Sequence, residues 1–423
     1  MDKDTISAAL GGGQAVERLL EGWSHSQASM PADGRVFFLD SSYVAEAGVE
    51  AALDADLTAA LVMAARRADA GPAARALAWH AYHRLKERPE WGPGGPGGWP
   101  TPTALMGESA PLFYLLALLG DLPALREIHR AHAVPRAIHQ ATLRDIQRWA
   151  DHYRRAEGVW GMDARHLPWY WLHLHGELYE VGRLQYQPGP WQLPVRVYRH
   201  AVTGAVVALS DEGARYRADG QRDGAGGVED PAVAWTAHLV VGAEEITGHR
   251  ILPVGQAERE IMRLDRAEWP EALASGAPVL HLHIPQGAPL EMEACRHSLQ
   301  EALRFFSTHF PEQPVMAFAC HSWLLDAQLE EALPPTSNLV RFLRQMYLLP
   351  VADNGGGAFF FTFGQAPTDL SQLPRDTTLR RALIDHVLRG GHWRGGACFL
   401  LPQDLPAWGT DIYRSAPHSL AFG

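Results

Sequence analysis

One stretch of the chain, residues 279–310, combines three local patterns. Val279, Leu280, Leu282 and Ile284 form an apolar run that is typical of a buried strand. Residues 285–289, Pro-Gln-Gly-Ala-Pro, predict a tight turn. Apolar residues then recur at helical spacing, at Leu290, Ala294, Leu299, Ala302, Leu303, Phe306 and Phe310. The pattern therefore predicts one strand–turn–helix unit.

The turn in this unit is a candidate anion site. The first N–H groups of a helix have no intrahelical partners, so a glycine turn followed by a helix can hold a phosphate. Gly287 can adopt a positive φ, and Pro289 suits the first helical position. Glu291 and Glu293 oppose this reading, because their carboxylates would repel a phosphate. The predicted cofactor-binding residues are Ile284, Gln286, Gly287, Ala288 and Leu290.

The first part of the chain follows a helical period. The predicted helices cover residues 15–23, 49–70, 73–86, 110–119 and 123–157. Residues 91–102 are rich in glycine and proline and predict a long loop between helices. We therefore expect residues 1–175 to form a helical domain.

The period shifts toward two near residue 167. Candidate strands follow at 235–241, 250–252, 315–320, 347–351, 358–364 and 397–401. Helices are predicted at 269–273, 326–333 and 377–388, and a helix or turn at 337–346. Residues 219–230 predict a flexible hairpin tip, and the glycines at 355–357 a hairpin loop. The fold class expected is α+β, with a mixed β-sheet domain and flanking helices over residues 176–423.

The composition of the chain argues against some classes of binding partner. The 423 residues carry a formal net charge of −11, with 47% hydrophobic residues, which argues against nucleic acid or an anionic membrane surface as a partner. Three widely spaced cysteines predict reduced thiols. No signal pattern and no apolar run of about 20 residues is evident, so we expect a cytoplasmic protein.

His281 and His283 are two residues apart on the predicted strand, so both side chains face one side of the sheet. A metal pair lacks the usual accompanying ligand patterns. A packing role, a general base or a substrate contact are the other readings. His283 is the better candidate base, because it lies nearer the C-terminal end of the strand, where such sheets open to ligands.

Cys320, His321 and Ser322 are consecutive, but neighbouring side chains on a strand point to opposite faces. Cys320 and His321 therefore cannot form a nucleophile–base pair with each other. A small buried hydrophobic residue is the simpler reading of Cys320. Ser322 is explained as the N-cap of a following helix.

Several blocks in order resemble a bacterial family of acyltransferase-domain proteins. They are GRLQYQP from Gly182, VLHLHIPQGAPL from Val279, SLQEALRFFSTHFPE from Ser298, CHSWLLD from Cys320 and SNLVRFLRQM from Ser337. The resemblance implies a helical N-acyltransferase N-terminal domain followed by a GNAT-like C-terminal domain. It also implies that the Val279 strand and the Ser298 helix form the central unit that meets the pyrophosphate of acyl-CoA.

Residues 285–290 differ from the general GNAT signature Q/R-x-x-G-x-G/A, since they contain one glycine and two prolines. Two acyl donors are therefore considered: acyl-CoA as a co-substrate, and an acyl group on a carrier protein. No permanently bound cofactor and no metal are expected. The expected acceptor is an amine or hydroxyl of a small molecule or peptide.

Thioester aminolysis or alcoholysis needs a positioned carbonyl, an oxyanion donor and a base. Our hypothesis assigns the base to His283 or His281 and the anion contacts to the amides of residues 286–288, with Cys320 or Ser322 lining the cleft. Two alternatives remain, a non-catalytic binding module and a hydrolase that depends on Cys320.

Overall fold

A computed structural model describes residues 1–86, 95–364 and 369–414. The chain folds into two compact units, Met1–Val181 and Gly182–Gly423. The boundary expected from the sequence, after residue 175, lies a few residues before this division. Part of the predicted loop at 91–102 lies outside the described residues.

The first unit is helical. Its helices are α1 (Lys3–Ala9), α2 (Gln14–Leu19), α3 (Trp23–Ala28), α4 (Ser41–Glu50), α5 (Ala55–Ala70), α6 (Pro72–Leu85), α7 (Thr103–Met106), α8 (Phe113–Leu119), α9 (Leu122–Ala131), α10 (Arg136–Leu143), α11 (Asp145–Glu157) and α12 (Leu167–Leu174), and strand β1 (Tyr179–Val181) ends it. A capping side chain and a proline fix where two of these helices begin. The Asp40 carboxylate accepts N–H groups in the first turn of α4, and Pro72 occupies the start of α6.

The core of the first unit surrounds α8, in which every residue from Phe113 to Leu119 is buried. Within the described residues, the helical stretch Thr103–Ala131 is long and apolar enough to cross a membrane by length and composition alone. Of its most apolar window, 61% is buried inside the protein. Buried core helices meet the same criterion, and the packing of α8 places this stretch in the core.

The second unit contains most of the strands. They are β2 (Leu184–Pro190), β3 (Val195–Arg199), β4 (Val206–Ser210), β5 (Arg215–Tyr216), β6 (Trp235–Thr236), β7 (Leu239–Val241), β8 (Glu245–Leu252), β9 (Gln256–Asp265), β10 (Glu271–Leu273), β11 (Pro278–His283), β12 (Ala317–Ser322), β13 (Tyr347–Pro350) and β14 (Gly396–Leu400). The helices are α13 (Met292–His309), α14 (Leu329–Ala332), α15 (Asn338–Leu343), α16 (Gly357–Phe363) and α17 (Thr378–Leu388).

Two sheets organise this unit. The first has the order β2-β11-β12-β14-β13, in which β11 and β12 are parallel and the other pairs are antiparallel. The second has the order β10-β3-β4-β8-β7, and β9 pairs with β8. The mixed α+β fold expected from the sequence is confirmed.

One face of the first sheet packs on α13. The Ser298 hydroxyl of α13 lies 2.8 Å from the Tyr186 hydroxyl and accepts the Leu184 N–H. Tyr186 stands opposite Leu282, and its ring lies 6.0 Å from that of Phe318. Because paired residues share a face, the even-numbered residues of β11 and β12 point toward this helix.

The opposite face carries the odd-numbered residues. His281 pairs with Ala319 on this face, and the rings of Tyr347 and Phe399 stack 4.7 Å apart. The Tyr347 hydroxyl donates to the carbonyl of Ile251, which belongs to β8 of the second sheet. The two sheets therefore pack together through this face.

Several local predictions are wrong. The strand expected over 358–364 is instead helix α16 (Gly357–Phe363), and the helix expected over 269–273 contains strand β10 (Glu271–Leu273). The helix expected over 123–157 breaks into α9, α10 and α11, with Ala133 at a φ of 52° and Pro135 before α10. In each case tertiary pairing or a local backbone break overrides propensity.

Candidate active site

Strands β11 and β12 separate at their C-terminal ends. Their parallel pairing runs from Val279 with Ala317 to His281 with Ala319 and stops there. Strand β11 continues to His283 in register with β2, and β12 continues to Ser322 in register with β14. The sheet therefore opens between two strands that remain extended, each held by its outer neighbour.

The bend after β11 borders this opening and is accessible. Residues 286–289 are exposed, whereas Ile284 is partly buried and Leu290 is buried. Gly287 has a φ of 129°, in the region that favours glycine, and a Cβ at this position would meet nothing within 4 Å. Of the predicted cofactor-binding residues, Gln286, Gly287 and Ala288 are therefore accessible to a ligand, whereas Ile284 and Leu290 are covered in part or fully.

Helix α13 begins just beyond the bend, at Met292. The prediction that Pro289 begins the helix is wrong, because Glu291 is the N-cap and has extended φ and ψ. The Glu291 side chain makes no capping hydrogen bond, and the first-turn N–H groups and the positive end of the helix dipole lie next to the bend. The Glu293 carboxylate pairs with Arg296 at 2.6 Å, which lowers its pKa and balances its charge.

A basic residue that the sequence analysis did not single out adds positive charge here. The Nε of Arg183 donates to the Pro289 carbonyl at 3.1 Å, which places the guanidinium beside the bend. The guanidinium is a rigid fork of N–H donors suited to phosphate. Arg183 lies inside the block GRLQYQP, but only the pairing of β2 with β11 brings it to the bend.

His281 and His283 lie on the same face of β11, as their spacing predicts. His281 lies in the part of the sheet where β11 and β12 are still paired. Its Nε2 lies 3.1 Å from the Pro190 carbonyl, and its ring covers Gly189, where a Cβ would lie 3.0 Å from ring atoms. Burial lowers the pKa of His281, so this imidazole is neutral at pH 7.

His283 occupies the last position of β11, beyond the last pair with β12. Its Nε2 lies 3.3 Å from Oε1 of Gln187. In the tautomer that carries the proton on Nε2, this nitrogen donates to that oxygen. Of the two histidines, only His283 lies beside the opening.

His321 lies across the opening from His283. It follows Ala319 by two residues, so it shares the histidine face of the sheet. Its side chain is 56% exposed, and its Nε2 lies 3.8 Å from an Asp353 carboxylate oxygen. The sequence analysis considered His321 only as a partner for Cys320, and alternation along β12 was the signal that could have placed it here.

Cys320 and Ser322 point to the other face, toward α13. Burial raises the pKa of the Cys320 thiol to about 12, so the thiol stays protonated near neutral pH. The Ser322 hydroxyl accepts the Leu324 N–H at 3.2 Å, which confirms the predicted N-cap. The structure separates both side chains from the histidines by the thickness of the sheet.

Within residues 1–86, 95–364 and 369–414, no group of three or more His, Cys, Asp or Glu side chains is arranged to hold a metal ion.

Family models match both parts of the chain. The model described as GNAT-like C-terminal domain matches residues 178–400, and the one described as N-acyltransferase N-terminal domain matches residues 45–176. Among curated proteins, no match is found.

Solved acyltransferase structures have a similar fold. An acyltransferase in complex with decanoyl-CoA and teicoplanin aligns with a TM-score of 0.65 and 24% identity, over 95% of this chain and 99% of that one. An acyltransferase in complex with decanoyl-CoA aligns with a TM-score of 0.64 and 24% identity, over 95% of this chain and 100% of that one. The resemblance drawn from the sequence blocks is confirmed, and this chain belongs to the acyltransferase family that joins an N-acyltransferase N-terminal domain to a GNAT-like C-terminal domain.

Proposed function

We propose that this acyltransferase moves an acyl group from acyl-CoA to an amine or hydroxyl of a peptide or small molecule, at the opening between β11 and β12. The observation that carries the proposal is the end of strand pairing at His281 and Ala319, beside an exposed bend and an uncapped helix. A thioester arm needs such a gap in a sheet, because a paired strand offers it no free main-chain groups.

The donor's phosphates would bind at the bend. The first-turn N–H groups of α13, the open main chain around Gly287 and the Arg183 guanidinium converge on this point. Together they supply neutral donors, a helix dipole and a full positive charge. The pairing of Glu293 with Arg296 offsets one of the two carboxylates that the sequence set against a phosphate, and Glu291 is the other.

His283 would act as the general base. The acceptor N–H or O–H loses its proton to the His283 imidazole as its nitrogen or oxygen bonds to the thioester carbon. The C–S bond then breaks, and the imidazolium returns the proton to the departing CoA sulfur. A positioned base of this kind supplies about 10²–10⁴-fold in rate.

His283 is preferred over His281 as the general base because of its position in the sheet. His281 lies where β11 and β12 are still paired, and its Nε2 contacts the Pro190 carbonyl. Cys320 and Ser322 do not serve as nucleophiles in this proposal, because their side chains lie on the α13 face and the Cys320 thiol is protonated.

The acceptor class follows the related structures. Teicoplanin is the second molecule in one acyltransferase complex of this fold, so a peptide with an accessible amine or hydroxyl is the first acceptor to test. We also propose a reducing cytoplasm as the site of action, since the three cysteines are free thiols.

The test uses the full chain with decanoyl-CoA and teicoplanin. We expect CoA to raise the melting temperature by mass action, and mass spectrometry to detect a decanoyl adduct together with free CoA. CoA binding with no adduct on teicoplanin or on a panel of peptide amines and hydroxyls would favour the binding-module alternative. If the chain binds an acylated carrier protein but not CoA, the acyl donor is the carrier protein rather than acyl-CoA.

A further inference from the structure

The two sides of the opening differ in charge. On the β11 side, the Arg183 guanidinium and the start of α13 lie beside the bend. On the β12 side, the Nε2 of His321 lies 3.8 Å from a carboxylate oxygen of Asp353. A donor that carries several phosphates is attracted to the first side and repelled by a carboxylate on the second. The β12 side is therefore left to the acceptor.

Local contacts hold Asp353 in place. Its Oδ1 accepts the Gly355 N–H at 2.7 Å, and its main-chain carbonyl accepts the Gly226 N–H at 2.7 Å. Gly395 packs against its side chain, since an added Cβ there would lie 2.7 Å from Cβ and Cγ of Asp353. The second carboxylate oxygen, Oδ2, is the one next to His321. The carboxylate therefore has a fixed position beside the imidazole.

The His321–Asp353 pair is accessible, and a neighbouring basic residue is paired elsewhere. The His321 side chain is 56% exposed and that of Asp353 is 34% exposed. Arg394, which precedes Gly395, donates from its main-chain N–H and its guanidinium to the buried carboxylate of Asp326, at 2.8 and 3.4 Å. The charge of Arg394 thus compensates Asp326 rather than Asp353. A polar pair that is both accessible and fixed by its surroundings has the preorganisation that a binding site needs.

Imidazole and carboxylate together offer a ligand hydrogen-bond acceptors and negative charge. Hydrogen-bond donors on the acceptor match this pair, whereas a carboxylate next to the reacting group is repelled by Asp353. We propose that His321 and Asp353 form an acceptor subsite that binds hydrogen-bond donors beside the reacting amine or hydroxyl and selects against acceptors with a carboxylate at that place. This inference rests on the proposed function and adds the acceptor specificity of the same opening.

Acyl transfer from decanoyl-CoA to two matched peptides tests the charge selection. The peptides contain the amine or hydroxyl accepted in the transfer test and differ only in an Asn or an Asp beside it. We expect the wild-type enzyme to favour the Asn peptide about tenfold in kcat/KM, and Asp353→Asn to reduce this preference to within about twofold. The substituted amide keeps an oxygen that can accept the Gly355 N–H. A purely structural role of Asp353 would lower both rates and leave their ratio unchanged.

Substitution of His321 separates acceptor binding from proton transfer. With the acceptor found in the transfer test, His321→Ala should raise the acceptor KM about tenfold and leave kcat within about threefold. His321→Gln, which keeps a donor and an acceptor, should recover part of the loss. The Kd of decanoyl-CoA, measured by calorimetry, should stay within about twofold in both variants and in Asp353→Asn. A fall in kcat with an unchanged acceptor KM would assign His321 to proton transfer and overturn the subsite.

Glu212→Gln is the matched control. Glu212 lies 3.0 Å from His238 and accepts the Leu239 N–H at the start of β7, in the second sheet. The substitution removes the same charge from another exposed carboxylate–histidine pair, and it should change neither the peptide preference nor the acceptor KM. Equal effects of Glu212→Gln and Asp353→Asn, or an unchanged peptide preference in Asp353→Asn, would overturn the subsite while leaving CoA binding intact. A wild-type chain that binds no CoA compound and acylates no acceptor would instead overturn the proposed function itself.

Discussion

The parallel pair β11–β12 has two halves that differ in packing and in chemistry. In the first half, Val279, Leu280 and Phe318 are at most 2% exposed, and hydrogen-bonded pairing is continuous. In the second half the pairing stops, and His283 and His321 are partly or largely exposed. Each strand keeps an outer neighbour throughout. An opening between two strands is therefore tolerated where the outer strands preserve their geometry.

This comparison predicts that substitutions in the open half reduce activity and that those in the closed half reduce stability. The largest effect is expected for His283→Ala. Loss of the base should lower kcat/KM by about 10²–10⁴-fold, measured with decanoyl-CoA and an acceptor found in the transfer screen.

His281→Ala is the control two residues away on the same face. It should retain turnover within about tenfold of wild type. If His283→Ala keeps full activity and His321→Ala does not, the base lies on β12 rather than β11, and the assignment to His283 is wrong.

In the closed half, Phe318→Ala should lower the free energy of unfolding by about 3–5 kcal/mol, because it empties a fully buried site beneath α13. Urea unfolding gives this value directly. The remaining folded enzyme should keep its affinity for CoA. A loss of CoA binding without a loss of stability would show that the closed half also takes part in the site.

Arg183→Ala tests the charge at the bend. We expect CoA to bind about tenfold more weakly, since a charge-assisted contact to phosphate is lost, and the remaining affinity to depend less on salt. Arg304→Ala, near the other end of α13 and paired with Glu301, is the control that should bind normally. If both substitutions weaken CoA binding equally, Arg183 acts only through the long-range effect of its charge and not through a direct contact with phosphate.

Near neutral pH the smallest effect is expected for Cys320. Its pKa of about 12 lies above the value for an unfolded thiol, so the stability it contributes is complete below pH 9 and is lost as the pH rises toward 12. Cys320→Ala should therefore soften the alkaline fall in stability by about 1.4 kcal/mol per pH unit above 9. Iodoacetamide at pH 8 should leave Cys320 and the activity of the folded enzyme unchanged, and rapid inactivation through Cys320 would revive the hydrolase alternative.

Local patterns predicted much of the second unit. Alternation and apolar runs located β11, β12, β13 and β14 within a few residues, and the helical stripe located α13. The prediction was wrong for α16, where three consecutive phenylalanines suggest a strand but the chain instead forms a helix. Aromatic residues fit either structure, and the choice depends on which neighbours are available to pack.

The sequence by itself determined that two histidines share a strand face, that a glycine bend precedes a helix, and which family the chain belongs to. The first two depend on residues that are close together in the chain, so spacing and residue type are sufficient. The family follows from the order of several such blocks along the chain. Only the tertiary structure decided where β11 and β12 part and which residues reach that gap. Arg183, His321 and Asp353 come from segments far apart in sequence, and strand register and tertiary packing, which no local pattern encodes, bring them to one opening.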